Sequence, residues 1–258
     1  MTIPSTSAEG GVRAQVSPEE WQTRVELAAC YRLVAMYGWD DLIFTHISAK
    51  IPGPEHQFLI NPYGMMFEEI TASSLVKINL AGEVIMKTPY PVNPAGFVIH
   101  SAVHEARPEA QCVLHLHTPE GQAVSAQKHG LLPITQTAMI VYGELAYHDF
   151  EGIATELEER ARLARDLGNK SVMILRNHGT LTVGETVADA FLRMYFLERA
   201  CKAQVLALAG NAEVGLPPQG TPEKTAQQAA STAASVGRKL AWPGLLRKLD
   251  RLDPSFRN

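Results

Sequence analysis

Short apolar runs and helix-like stretches follow one another along this chain without strict β-α-β alternation, and that succession constrains its fold most. Leu42 to Ile51 (LIFTHISAKI) alternates apolar and polar residues at its centre and stops at Pro52-Gly53-Pro54. Phe58-Leu59-Ile60 follows and stops at Asn61-Pro62-Tyr63-Gly64, so the two runs read as a hairpin. Cys112 to His117, Ser171 to Leu175 and Thr180 to Val183 read as further strands, and Ala81-Gly82-Glu83 as a turn into another. Ser17-Pro18-Glu19-Glu20 carries the signals of a helix start, and that helix closes at Gly38. Further helices are expected over Thr71 to Ile78, Phe97 to Ala106, Thr118 to Lys128, Ile153 to Leu167 and Thr186 to Ala209. The pattern predicts an α/β fold with a central mixed, largely antiparallel sheet flanked by helices.

Residues 1–16 are small and polar and read as a disordered leader, with one folded domain over 17–209. Residues 210–237, rich in Ala, Gly, Pro, Thr and Gln, read as a linker, and 238–258 as a short basic C-terminal helix or flap. A chain of 258 residues can bury about 73% of its extended surface, enough for a core without staples. The net charge of -4, from 23 basic and 27 acidic residues, argues against a nucleic-acid partner. Cys30, Cys112 and Cys201 lie far apart among apolar neighbours and read as buried thiols in a reducing compartment. No apolar run approaches a membrane span and residues 1–16 lack a signal core, so a cytoplasmic location without membrane contact is expected.

The chemistry concentrates at Val113-Leu114-His115-Leu116-His117. On a strand, His115 and His117 project from one face about 7 Å apart at Cα, while Cys112, Leu114 and Leu116 face the core. Two such imidazoles can converge on one cation, and His178, in Asn177-His178-Gly179 after a buried strand, is placed to be a third ligand. Three neutral imidazoles with an open position suit zinc or manganese. Alone, an H-x-H pair fits a hydrogen-bonded interior pair as well. His100 and His104, spaced i, i+4, read as a packed, hydrogen-bonded pair, and His56, His129 and His148 as without chemical role. Asn177 and Thr180 read as turn residues and supports for the ligands.

Taken as a set, His115-Leu116-His117-Thr118, Asn177-His178-Gly179-Thr180, Arg107-Pro108 and Asn61-Pro62-Tyr63-Gly64 resemble the class II aldolase/adducin family, over about Trp21 to Leu208. Ile60 to Asn79, His100 to Glu109 and Gly130 to Gly152 resemble an adducin head in particular. The resemblance implies a three-layer α/β/α fold and one divalent metal per subunit, zinc first and manganese second. It also implies a homotetramer with active sites between subunits, and it matches His115, His117 and His178 to the family's metal-binding histidines. Three departures stand out. Gly96 occupies the position of the family's catalytic glutamate, and His46 with Pro94-Ala95 stands where the aldolases hold substrate phosphate. Thr137 lies near the place of the family's assisting tyrosine.

The expected function is a metal-dependent lyase, of aldolase or decarboxylase type, on a small unphosphorylated oxygenated substrate. His46 is the candidate proton donor or acceptor, the other reading being a strand histidine bonded to backbone. Tyr63 and Gly64 are candidate substrate contacts, against turn-forming roles, and Glu144 is a further polar candidate. The alternatives are a non-enzymatic adducin-head-like binding module, weakened by the lack of a lysine-rich tail after LRKLDRLDPSFRN, and a metal-binding pseudoenzyme.

Overall fold

A computed structural model describes residues 11–152, 158–211 and 213–258. The expected first helix forms as α1 (Pro18–Met36), with the Ser17 hydroxyl accepting from the Glu20 N–H at 3.1 Å and Pro18 in the first turn. There follow β1 (His46–Lys50), β2 (Phe58–Ile60), β3 (Val76–Ile78), α2 (Pro94–Ala106), β4 (Cys112–Leu116) and α3 (Pro119–Ser125). The second half adds α4 (Gln136–Tyr142), β5 (Leu145–His148), α5 (Glu159–Leu167), β6 (Val172–Leu175), β7 (Gly179–Gly184) and α6 (Val187–Leu208). One sheet runs in the order β3-β2-β1-β4-β7-β6-β5, antiparallel throughout except where β5 pairs with β6. This is the mixed, largely antiparallel sheet that the sequence pattern predicts.

The sheet is covered on both faces. On one, Leu27, Leu33 and neighbours from α1 and Phe191, Met194 and Leu197 from α6 pack on Ile47, Cys112, Leu114, Leu116 and Ile174. On the other, Val103 of α2 and Leu163 and Leu167 of α5 pack on Val113, Met173, Leu181 and Val183. Strand alternation thus sends Leu114 and Leu116, both fully buried, into the α1/α6 layer, where each stabilises the fold by about 1.5–3 kcal/mol. His115 is left on the α2 face at the sheet's centre. Cys30, Cys112 and Cys201 are buried as expected, and burial pushes their thiol pKa values up.

Several local expectations are corrected. Within 1–16, Val12–Gln15 form a 3-10 turn and the Arg13 guanidinium lies 5.6 Å over the Trp21 ring; residues 1–10 lie outside the described residues. Thr71 and Ser74 close a turn by reciprocal side chain–backbone hydrogen bonds, and Val76–Ile78 then pairs with β2 as a strand rather than completing a helix. The 210–237 stretch contains a 16-residue helix, α7 (Thr221–Val236), rather than a linker throughout, and α7 packs against α4. Its small, polar composition hides a helix whose partner face only tertiary contact supplies. Of the helix or flap expected at the C-terminus the helix forms: α8 (Trp242–Leu252) buries Trp242 and Leu249, and Phe256 is fully buried. Its end is tied down by the Ala72 N–H donating to the Phe256 carbonyl and by Arg32 pairing with Asp253. Of the helix expected over Ile153 to Leu167, residues 159–167 form α5 and residues 153–157 lie outside the described residues. No described helix is long and apolar enough to cross a membrane.

Candidate metal centre

β4 and β7 deliver the three candidate ligands to one end of the sheet. β6 and β7 are joined by Arg176-Asn177-His178, closed by the Leu175–Gly179 pair, with Asn177 in the left-handed region at φ 55°. That turn aims His178 back toward β4. Gly179 makes the approach possible, since a Cβ there would lie 2.3 Å from the Leu116 carbonyl oxygen and 3.1 Å from His117 Cδ2. The result is a cluster in which one ligand atom from each of His115, His117 and His178 lies within 4.8 Å of the others.

The hydrogen bonds around the cluster set its tautomers. His115 Nδ1 donates to the Thr180 carbonyl at 3.0 Å, and His117 Nδ1 donates to Asp41 Oδ2 at 3.1 Å. In neutral rings both Nε2 atoms are therefore lone pairs. Yet His117 Nε2 lies 2.9 Å from His115 Nε2 and 2.9 Å from His178 Nε2. Facing lone pairs at that distance repel unless something positive lies between them. On two of the three rings a proton is disfavoured: burial, followed by the neighbouring imidazoles, holds the His115 pKa well below its ordinary value and lowers His178 to about 4. The donor set, with both outward nitrogens committed to an oxygen, fits a divalent cation of the zinc or manganese type.

Beneath the ligands sits Glu198 of α6, 3% exposed. Thr118, adjacent to His117, and Thr180, two residues after His178, both donate their hydroxyls to it, Thr180 at 2.6 Å. Burial raises the Glu198 pKa to about 7 against the lowering effect of those two bonds. One carboxylate thus ties the two ligand-bearing loops together.

Beside the ligands, His46 pairs with His115 across β1 and β4, with ring centroids 5.2 Å apart. Burial, followed by His117 and His178, lowers its pKa to about 3, so it stays neutral. Its Nδ1 meets His100 Nε2 at 2.8 Å; His100 Nδ1 meets Ser48 Oγ at 2.5 Å; Ser48 Oγ meets His104 Nε2 at 2.8 Å; and His104 Nδ1 meets the Ala110 carbonyl at 2.9 Å. His100 and His104 are thus the hydrogen-bonded interior pair expected, linked through Ser48, with His104 stacked on Phe58 at 4.7 Å. Burial holds His100 well below its ordinary pKa and lowers His104 to about 4. The Tyr31 hydroxyl accepts from the backbone N–H of Ile47 (2.8 Å) and of Asn61 (3.1 Å), locking β1 to the turn after β2.

Tyr63 and Gly64 lie in that turn, at the same end of the sheet as His46. Among the described residues, neither has a hydrogen bond or ring contact with the histidines; the Tyr63 N–H donates to the Pro91 carbonyl, and Gly64 sits at φ 102°. Gly96 falls in the first turn of α2. His56 and His129 are exposed; His148, by contrast, is buried and bonded to Asp166 at 2.8 Å. Asp41, Ser48 and Glu198 escaped the sequence reading. Ser48 alone left a trace there, two residues after His46 and so on the same face of β1.

The sequence profile of the family described as Class II Aldolase and Adducin N-terminal domain matches residues 25–205. A Caulobacter vibrioides protein named "Putative aldolase class 2 protein" is 60% identical over 255 residues, 98% of this chain and 97% of that protein. Alpha-adducin of Rattus norvegicus is 46% identical over 212 residues, 81% of this chain but 29% of the adducin. The structure of L-fuculose 1-phosphate aldolase from Glaciozyma antarctica superposes with a TM-score of 0.79 at 30% identity, covering 100% of this chain and 97% of that one.

Proposed function

The chain belongs to the class II aldolase and adducin family, and from that premise we propose that it is a metal-dependent carbon–carbon lyase, of aldolase or decarboxylase type. Its substrate is a small, unphosphorylated, oxygenated molecule. His115, His117 and His178 hold the cation through Nε2, zinc by preference and manganese as second choice. A divalent ion there supplies Lewis acidity to a substrate oxygen and stabilises the charge that develops as the bond to carbon breaks, worth several kcal/mol. The observation that carries this reading is the pair of Nε2 lone pairs on His115 and His117, 2.9 Å apart with both Nδ1 atoms already committed.

The chain's own groups then do the rest. Asp41 and the Thr180 carbonyl orient two of the rings, and Glu198 holds the loops that carry His117 and His178. Gly96 has no proton to give or take at the position of the family's glutamate, which leaves His46 as the proton-handling group. Tyr63 and Gly64 border the substrate. His46 and Pro94-Ala95 stand at the positions expected to hold phosphate, which supports an unphosphorylated substrate. The protein works in the cytoplasm as a homotetramer with active sites between subunits. A binding module without a cation would leave the facing lone pairs of His115 and His117 uncompensated.

Metal analysis after purification and zinc or manganese reconstitution tests the reading, followed by a panel of hydroxy- and keto-acids at saturating metal. Turnover that the His178→Ala protein lacks supports it. Failure of the purified and reconstituted protein to hold metal, or of the metal-loaded protein to turn over any member of the panel, removes it in favour of the binding module.

A further inference from the structure

The chain of hydrogen bonds behind His46 has a direction. The Ala110 carbonyl can only accept, so His104 Nδ1 donates to it and a neutral His104 leaves Nε2 as an acceptor. That acceptor takes the single proton of Ser48 Oγ, whose oxygen must then accept from His100 Nδ1. His100 Nε2 is left as an acceptor and takes the proton of His46 Nδ1. His46, last in line, keeps a bare Nε2, for which the described residues offer no hydrogen-bond partner. One peptide carbonyl thus sets the tautomer of a ring four links away, beside the cation site.

We propose that Ser48, His100 and His104 are positioning residues that hold His46 in its Nδ1–H tautomer, so that His46 Nε2 accepts a hydrogen bond from a substrate hydroxyl and turns away a group that cannot donate. The proposal deepens the lyase reading and rests on it for the presence of a substrate. Burial holds the His100 and His104 pKa values below their ordinary value, which keeps those links neutral and hence directional at neutral pH. A polar chain satisfied at every link but its last nitrogen, inside an α2–β1 interface that apolar side chains could fill more cheaply, points the same way. An oxyanion or carbonyl oxygen placed against Nε2 would set acceptor against acceptor, an unmet pairing worth about 1–3 kcal/mol. That converts to a preference for the hydroxyl of about fivefold to 150-fold.

Two measurements test this on the full-length protein. Long-range 1H–15N correlation spectra of the imidazoles, recorded with and without zinc, should show His46 protonated at Nδ1 and bare at Nε2. Ser48→Ala, or His104→Leu should the first variant fold poorly, should release His46 into a mixture of tautomers. His46 protonated at Nε2 in the parent, or an unchanged tautomer in the variants, overturns the assignment. In the cobalt(II)-substituted protein, lactate should perturb the metal's visible spectrum at a concentration at least fivefold lower than pyruvate, which shares its carboxylate but lacks the donor. Ser48→Ala should bring the two together. Pyruvate binding as well as lactate, or no binding of lactate, overturns the hydroxyl preference. The tautomer is read equally without metal, so a failure to bind zinc would count against the lyase reading and leave this test standing.

Discussion

Lowering the pH of the metal-free protein from 6.5 to 5.5 should remove about 4 kcal/mol of its stability. His46, His100, His104, His115 and His178 all have folded-state pKa values depressed mainly by burial, whereas unfolding returns each to about 6.5. For a depressed pKa the stabilising contribution is present above the unfolded value and lost as pH falls toward the folded one. Over that unit of pH the unfolded chain gains protons that the folded chain refuses, worth about 1 kcal/mol per histidine. Glu198 runs the other way. Its folded pKa of about 7 lies above the unfolded value of 4.5, so its contribution is full below 4.5 and lost as pH rises through 7. Acidification from 6.5 to 5.5 therefore returns about 1 kcal/mol through Glu198, leaving a net loss of about 4 kcal/mol. Set against a typical total of about 5–15 kcal/mol, that is enough to bring the protein near its unfolding midpoint. Urea unfolding of chelator-treated protein at pH 7.5, 6.5 and 5.5 reads the loss directly. A midpoint that holds steady across that range would refute the claim that these imidazoles are buried and neutral.

Other consequences concern single residues. Asp41→Ala frees the His117 ring and should weaken zinc retention about 10- to 100-fold in competition with a chelating dye. Gly179→Ala drives a methyl into the Leu116 carbonyl and His117, and should lower both the urea midpoint and zinc retention. Phe256→Ala empties a fully buried site and should cost about 3–5 kcal/mol in urea unfolding, while zinc stoichiometry stays unchanged because the residue lies with Ala72 and α1, away from the histidines.

How much could be read beforehand followed from how local each signal was. The alternation of Cys112, Leu114 and Leu116 with His115 and His117 is visible within one strand, and it predicted which side chains enter the core and which form the cluster. The sheet's mixed character was likewise legible from the hairpin and the irregular order of elements. Asp41 and Glu198 were not, because each meets the cluster from a separate element, a loop before β1 and the middle of α6, and no spacing rule links residues so far apart. His100 and His104 were recognisable as a pair on one helical face. Their connection to His46 became visible only when α2 was laid across β1, where Ser48 fills the gap between them. Residues 221–236 misled for a different reason, since an Ala-, Thr- and Gln-rich stretch has the composition of a linker and becomes a helix through its packing on α4.

X-ray absorption at the zinc edge of the reconstituted protein bears most directly on the centre of this account. One zinc per chain, with three imidazole nitrogens at about 2.0 Å and the remaining position taken by an oxygen, is the expected spectrum. His117→Ala should reduce the imidazole count and release the ion. A zinc coordinated by thiolate or by carboxylates alone, or one kept unchanged in the His117→Ala protein, would contradict it.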